Sequence, residues 1–232
     1  MSLINKVASI ISTSSNIDDV VYLKNKIQYD DDLRTLDIDL KSIIPAPPKN
    51  SSSTTTRELV QTSKATLSRT NAEHDLVSIV DHEPLFLFYE FCKKKNIVFP
   101  TMKFFEAFNI IEQYSFALKY LYNRPRPEQL APYHNLDINV VFTETHHTPS
   151  YPSGHTIYSE LAAHIVSEEY PEYKKDFFTI SNYCGLARIL QGVHYASDNE
   201  ASKIALSKLY PLLKELENEK SKRTITNPTV GS

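Results

Sequence analysis

Cysteine is scarce in this 232-residue chain, with only Cys92 and Cys184, far apart in sequence. A pair so spaced gives no disulfide framework, and both read as small core residues. An excess of charge of one sign is also missing. Lys and Arg total 25 against 28 Asp and Glu, a formal net charge of -3. The chain therefore lacks the basic footprint that draws proteins to nucleic acid or anionic membrane, and any anion must be met by a local cluster. Long apolar runs are absent as well. The stretch around Leu85 to Phe91 is broken by Glu90 and preceded by Pro84, far short of the roughly 20 residues a spanning helix needs. The opening MSLINKVASIISTSSN has one lysine and only the short apolar run VASII, too short for a secretory core. These absences predict a soluble, cytoplasmic protein with no integral membrane association and no nucleic-acid partner. No internal repeat is visible, and alternating strand patterns are outnumbered by long amphipathic segments.

What is present suits a packed globular domain: 41% of residues are hydrophobic and 23% charged, ordinary values for a chain with one core. The stretch PAPPKNSSSTTT over residues 45–56 resists helix and strand and reads as a loop or linker. It divides an N-terminal segment, 1–56, which packs on the rest, from a main domain, 57–218, followed by a flexible polar tail, 219–232. Within the first segment YDDDLRTLDIDL has a mixed pattern that we read as helical. Helical periodicity is clearer from residue 71, with Leu76, Ile79, Val80, Phe86, Phe88, Tyr89 and Cys92 as core positions around a break at Pro84. A second helix starts near Thr101 as N-cap, carries Phe104, Phe108, Ile111, Ser115, Leu118 and Tyr122 on one stripe, and ends at Pro125 and Pro127. A third runs from Ser153 to before Pro171, and a fourth from about Tyr173 to Gln191, where Gly192 ends it. A fifth opens at Ser197, whose spacing to Glu200 forms an S-x-x-E capping box, and stops at Pro211. The predicted fold is all-α, a helical bundle with the active site at helix ends.

Three short stretches carry chemistry, each at a predicted helix end. KYLYNRPRP supplies Lys119 and Arg126, two cations that a proline-stiffened turn can direct to one point. SYPSGHT places Ser153 at an N-cap, Gly154 without a side chain, and His155 in the first turn, so that backbone N–H groups and a partial positive charge face outward to an anion. ARILQGVHYASD supplies Arg188 as a planar fork for phosphate oxygens, then His194 between two helices and Asp198 at the start of the next. A histidine bonded through Nδ1 to a carboxylate presents Nε2 as a nucleophile in a fixed tautomer, which makes Asp198 the orienter. Taken singly, each stretch has an ordinary explanation: cations offsetting a helix dipole, a capped helix with a surface histidine, a loop histidine beside a capping aspartate. His134, His146 and His147 with Glu144 can be drawn as a metal cluster, but their spacing matches no ligand pattern. A polar rim loop is the alternative, with Phe142 and Tyr151 either touching a leaving group or packing in the core.

In combination, K-x6-R-P, P-S-G-H and A-R-x5-H-x3-D stand in the order of the three-part signature of the type 2 phosphatidic-acid phosphatase superfamily, shared with vanadium haloperoxidases. The chain resembles that superfamily over about residues 101–210, and SYPSGHT with G-x-H-x-x-S-D looks most like its soluble bacterial non-specific acid phosphatases. The resemblance implies a metal-independent phosphoric monoester hydrolase working through a phosphohistidine intermediate. His194 would attack phosphorus, His155 would act as general acid and base, and Lys119, Arg126, Arg188, the Ser153 hydroxyl and the Gly154 N–H would hold the oxygens. It implies a small phosphorylated substrate, no cofactor, and vanadate as an inhibitor; homo-oligomerisation is left open. One departure is Ala187, where the signature has Ser. Counting from Lys119 selects Arg126 over Arg124 as the matched arginine. The alternatives are a vanadate-dependent haloperoxidase, with vanadate as cofactor, although such enzymes are typically longer and this chain has no Trp, and a non-catalytic phosphate-binding protein.

Overall fold

The computed structural model describes residues 16–22 and 35–226. Among them the chain is all α-helical, with short 3-10 turns and no strand. In chain order the helices are α1 (Leu40–Ile43), α2 (Ser53–Leu67), α3 (Asn71–His82), α4 (Phe86–Lys95), α5 (Thr101–Tyr122), α6 (Pro127–Leu130), α7 (Gly154–Glu169), α8 (Lys174–Gln191) and α9 (Ala196–Thr226). The centre of the bundle is the pair α7 and α8, against which α2, α3, α5 and α9 pack.

Each central helix has a local reason to form. Thr70 and Glu73 close a capping box at the start of α3, each bonding the other's backbone N–H. Helix α5 is preceded by Pro100 as its N-cap, with Thr101 as its first residue, and ends at Asn123, which takes the left-handed conformation that asparagine tolerates. It buries Phe104, Ala107, Ile111, Tyr114, Leu118 and Lys119. Aromatic rings lock the bundle around it: Tyr158 of α7 meets Phe104 and Phe108 edge-on at 4.7 and 4.6 Å, a favoured ring geometry. Cys92 and Cys184 are buried free thiols in this core. So is Ala187, at the position where the signature has Ser. Of the expected core positions before Pro100, Val80, Phe88 and Cys92 are buried, whereas Phe86 is exposed and Val77 is buried instead.

Four expectations are corrected. The Ser/Thr run is no linker beyond its start: Ser52 caps α2, and Thr55, Glu58, Leu59, Thr62, Ser63 and Thr66 form its buried stripe. That stripe has helical spacing but is mostly polar, so a hydrophobic pattern does not reveal it. Helix α9 does not stop at Pro211. The proline sits exposed inside it, while Leu209, Tyr210 and Leu213 are buried on either side and carry the helix across the lost hydrogen bond. At its start, Ser197 is paired not with Glu200 but with Glu58, which accepts from both the Ser197 N–H at 2.6 Å and its hydroxyl at 2.8 Å. Residues 35–39 of the Asp-rich stretch are not helical, and 29–34 lie outside the described residues. The described backbone before α1 nevertheless binds the bundle. The Tyr114 hydroxyl meets the Leu36 N–H at 2.7 Å, and the Tyr22 N–H donates to the Asn123 carbonyl at 3.0 Å.

Candidate active site

The ends of α5, α7 and α8 converge on a pocket of about 330 Å³, whose wall includes Lys119, Arg126, Gly154, His155, Arg188 and His194. All three chemistry-bearing stretches thus meet at one place. Lys119, on the last turn of α5, donates to the carbonyls of Pro149 and Pro152 at 2.8 and 2.7 Å, which leaves one ammonium hydrogen for a ligand. Arg126 is gripped by the Thr148 and Val193 carbonyls at 2.9 and 2.8 Å. Arg188 donates to Asp81 of α3 at 2.6 Å and to Thr145 at 3.1 Å, while its Nε is buried with no partner among the described residues. Burial is the main influence on all three cations: it pushes Lys119 well below the usual lysine range and Arg188 down to about 10. Three desolvated cations facing one cavity form a site that an anion relieves.

The two histidines take different settings. His194 Nδ1 lies 2.9 Å from Asp198 Oδ2, and its Nε2 lies 3.3 Å from Arg126 Nη1, towards the cations. The turn that delivers it is a Schellman motif: Gly192, at φ +89°, donates to Ile189 and Val193 donates to Arg188. Only glycine fits there, since a Cβ would come within 2.7 Å of Ile138 Cγ2. His155, in the first turn of α7, lines the same pocket and has no hydrogen-bond partner among the described residues. Desolvation first, then Arg126 for His194 and Arg188 for His155, holds both rings well below the ordinary histidine range. His194 is therefore neutral near pH 7, and its Nε2 lone pair accepts from Arg126 Nη1, a contact that a ligand drawing Arg126 away would release. Gly154 leaves open space on this wall; a Cβ there would meet only Lys119 Cε at 3.7 Å. Ser153, by contrast, does not line the pocket. Its Oγ accepts from the Thr156 N–H and hydroxyl as the N-cap of α7. Asp198 is wholly buried behind His194.

Behind the dyad lies a layer that motif reading passed over. Arg124, discarded in favour of Arg126, is buried and donates from Nη1 to Asp198 Oδ1 at 2.7 Å and to the Ser197 hydroxyl at 2.8 Å. From Nη2 it reaches Glu58 of α2 at 3.2 Å, and its guanidinium lies 3.8 Å from the centre of the Tyr195 ring. Asp198 also accepts the Tyr195 N–H at 3.0 Å, so its two oxygens are held from three sides. The available signal was slight: Glu58 is the lone acid in the run over residues 51–67. Asp81, which orients Arg188, gave no motif at all.

The remaining candidates do not line the pocket, although His146 lies close enough to Arg126 and Arg188 to feel their charge. His134 bonds Thr56 and the Asn50 carbonyl on a different face. His146 stacks on His147 at 5.1 Å. Among the described residues no three His, Cys, Asp or Glu side chains are grouped to hold a metal ion. Tyr151 packs against Tyr122 and donates to the Pro45 carbonyl at 2.7 Å, and neither it nor the exposed Phe142 lines the pocket.

Residues 102–206 match the PAP2 superfamily model. The fold is similar to that of a transmembrane PAP2 type phosphatidylglycerolphosphate phosphatase from Bacillus subtilis. The TM-score is 0.50 at 19% identity, over 73% of this chain and 89% of that one. No curated protein sequence matches the chain. Among the described residues, no helix is long and apolar enough to cross a membrane. That match supports, at the level of the superfamily, a phosphatase-type function.

Proposed function

We propose that the protein is a soluble, metal-independent phosphoric monoester hydrolase of the acid phosphatase type. The reading rests on one observation: His194 is tethered through Nδ1 to Asp198 at 2.9 Å, with Nε2 facing the cation-lined pocket. In this scheme Lys119, Arg126 and Arg188 hold the phosphoryl oxygens, joined by backbone N–H groups at the start of α7. The Nε2 lone pair attacks phosphorus as the ester P–O bond breaks, and its electron pair leaves with the alcohol oxygen. His155 gives that oxygen its proton, then takes one from the water that attacks phosphohistidine, which returns inorganic phosphate and free His194. Burial first, and the surrounding cations second, hold His155 low; a bound dianion offsets the cationic part and so favours the charged acid. Ser153 reaches the oxygens in this scheme only if its hydroxyl turns from its capping position. The proposed enzyme works in the aqueous phase of the cytoplasm; its mixed surface charge, with ion pairs such as Lys103–Glu168 at 2.7 Å, suits that setting.

The test is hydrolysis of an aryl phosphate in the presence of a chelator, with rapid acid-free quenching to trap phosphoenzyme. His194→Ala is expected to lose at least about 10³-fold in kcat and all covalent label, as removal of a nucleophile does. Label retained in that variant would overturn the scheme. Activity lost to the chelator would overturn metal independence, and halide oxidation with vanadate and peroxide in place of hydrolysis would favour a haloperoxidase.

A further inference from the structure

Beyond the cations, the pocket changes character. Its wall also includes Pro84, Phe108, Phe116 and Tyr158, together with one carboxylate, Glu112. Phe108, Glu112, Ser115 and Lys119 recur at helical spacing along the face of α5 that lines the cavity. Lys119 lies at the phosphate end. Glu112 is seven residues before it, about 10 Å along the axis at the helical rise. Glu112 is half-buried, and it has no hydrogen-bond or ion-pair partner among the described residues. Burial pushes its carboxyl up, with no counter-charge acting the other way. The Tyr158 hydroxyl beside it likewise has no partner, and its ring is fixed edge-on by Phe104 and Phe108. Exposed Glu83 adds a second negative charge near Tyr158.

An unpaired carboxylate on the pocket wall repels a phosphate dianion, so a site that served only the phosphoryl group gains nothing from it. The geometry points to a leaving-group subsite in which Glu112, flanked by Phe108, Phe116 and Tyr158, selects phosphate esters whose apolar or aromatic leaving group carries an ammonium about 10 Å from phosphorus. This inference rests on the phosphatase reading above and names the substrate class for the same pocket. The cation cluster takes one end of such a substrate and the acid takes the other, while the rings cover its body. A protonated amine held between a carboxylate and aromatic faces gains from both.

The test compares two esters of matched shape, tyramine O-phosphate and 4-ethylphenyl phosphate, in the wild type and in Glu112→Gln. The wild type is expected to favour the amine in kcat/KM by roughly twofold to fivefold at low salt, the scale of one ion pair that is partly open to solvent. That preference should shrink towards unity in Glu112→Gln and, in the wild type, as salt is raised. Glutamine keeps the shape at a half-buried position, and a matching melting temperature shows that the fold is retained. Equal kcat/KM for both esters in the wild type, or a preference that survives Glu112→Gln, overturns the inference while leaving the phosphatase reading intact. No turnover of either ester overturns both. Should the glutamine variant melt early, Glu112→Asp serves: a carboxylate drawn back by one methylene is expected to lower the preference, and an undiminished preference overturns the inference.

Discussion

A buried imidazole is useful as a nucleophile only if it is neutral and correctly turned, and two different neighbours meet these needs at His194. Desolvation and the cations strip its proton, while Asp198 fixes the tautomer from Nδ1. Asp198 could serve poorly if it were free to turn, and here Arg124 becomes important. It holds the second carboxylate oxygen at 2.7 Å and is itself anchored to Glu58. Arg124→Lys keeps the charge but loses the fork, so Asp198 and Glu58 can no longer be held together. It is expected to lower kcat by about tenfold to a hundredfold, the scale for loss of a partner that orients a working ligand, with KM much less affected. Steady-state kinetics with a parallel thermal melt checks this; an equal loss in kcat and in folded fraction would reduce Arg124 to a structural role. Motif spacing chose Arg126 and was silent on Arg124, because hydrogen bonding to a carboxylate 74 residues away leaves no local trace.

Among the elements, the link between α8 and α9 does most to set the site. Its Schellman turn both closes α8, whose last turn carries Arg188, and aims His194 two residues later. Gly192→Ala would impose a left-handed strain of about 1–2 kcal/mol, and the added methyl would collide with Ile138 Cγ2 at 2.7 Å. The expected outcome is a melting temperature lower by several degrees, together with a fall in kcat, because the turn can relax only by moving His194. Calorimetry and single-turnover rates measured on the same preparation check both. The glycine itself was legible as a helix end, as were α5, α7 and α8, since capping residues and apolar spacing are local properties. Helix α2 was not legible. Its buried stripe of Thr55, Glu58, Thr62, Ser63 and Thr66 looks like a surface loop until partners such as the Asp137 carbonyl, 2.6 Å from Ser63 Oγ, are known.

Across the whole molecule, folding brings Lys119, Arg126 and Arg188 together, although like charges in a desolvated cavity oppose it. An anion bound only by the folded state should relieve that opposition. Orthophosphate or orthovanadate at about 100 times its Kd is expected to add about 2.7 kcal/mol, or roughly 5–10 °C in melting temperature. A melt that does not respond to either anion would argue that the cluster is no phosphate site. The chain alone determined the helical class, most of the long helices and the residues able to bind phosphate or move a proton, because periodicity, capping and side-chain chemistry are written residue by residue. Only the tertiary structure decided that these residues share one pocket, that Ser153 caps rather than lines it, and that Arg124, Glu58 and Asp81 stand behind it. Those facts depend on which distant helices pack together, and packing is set by the burial of the entire chain rather than by any short stretch of it.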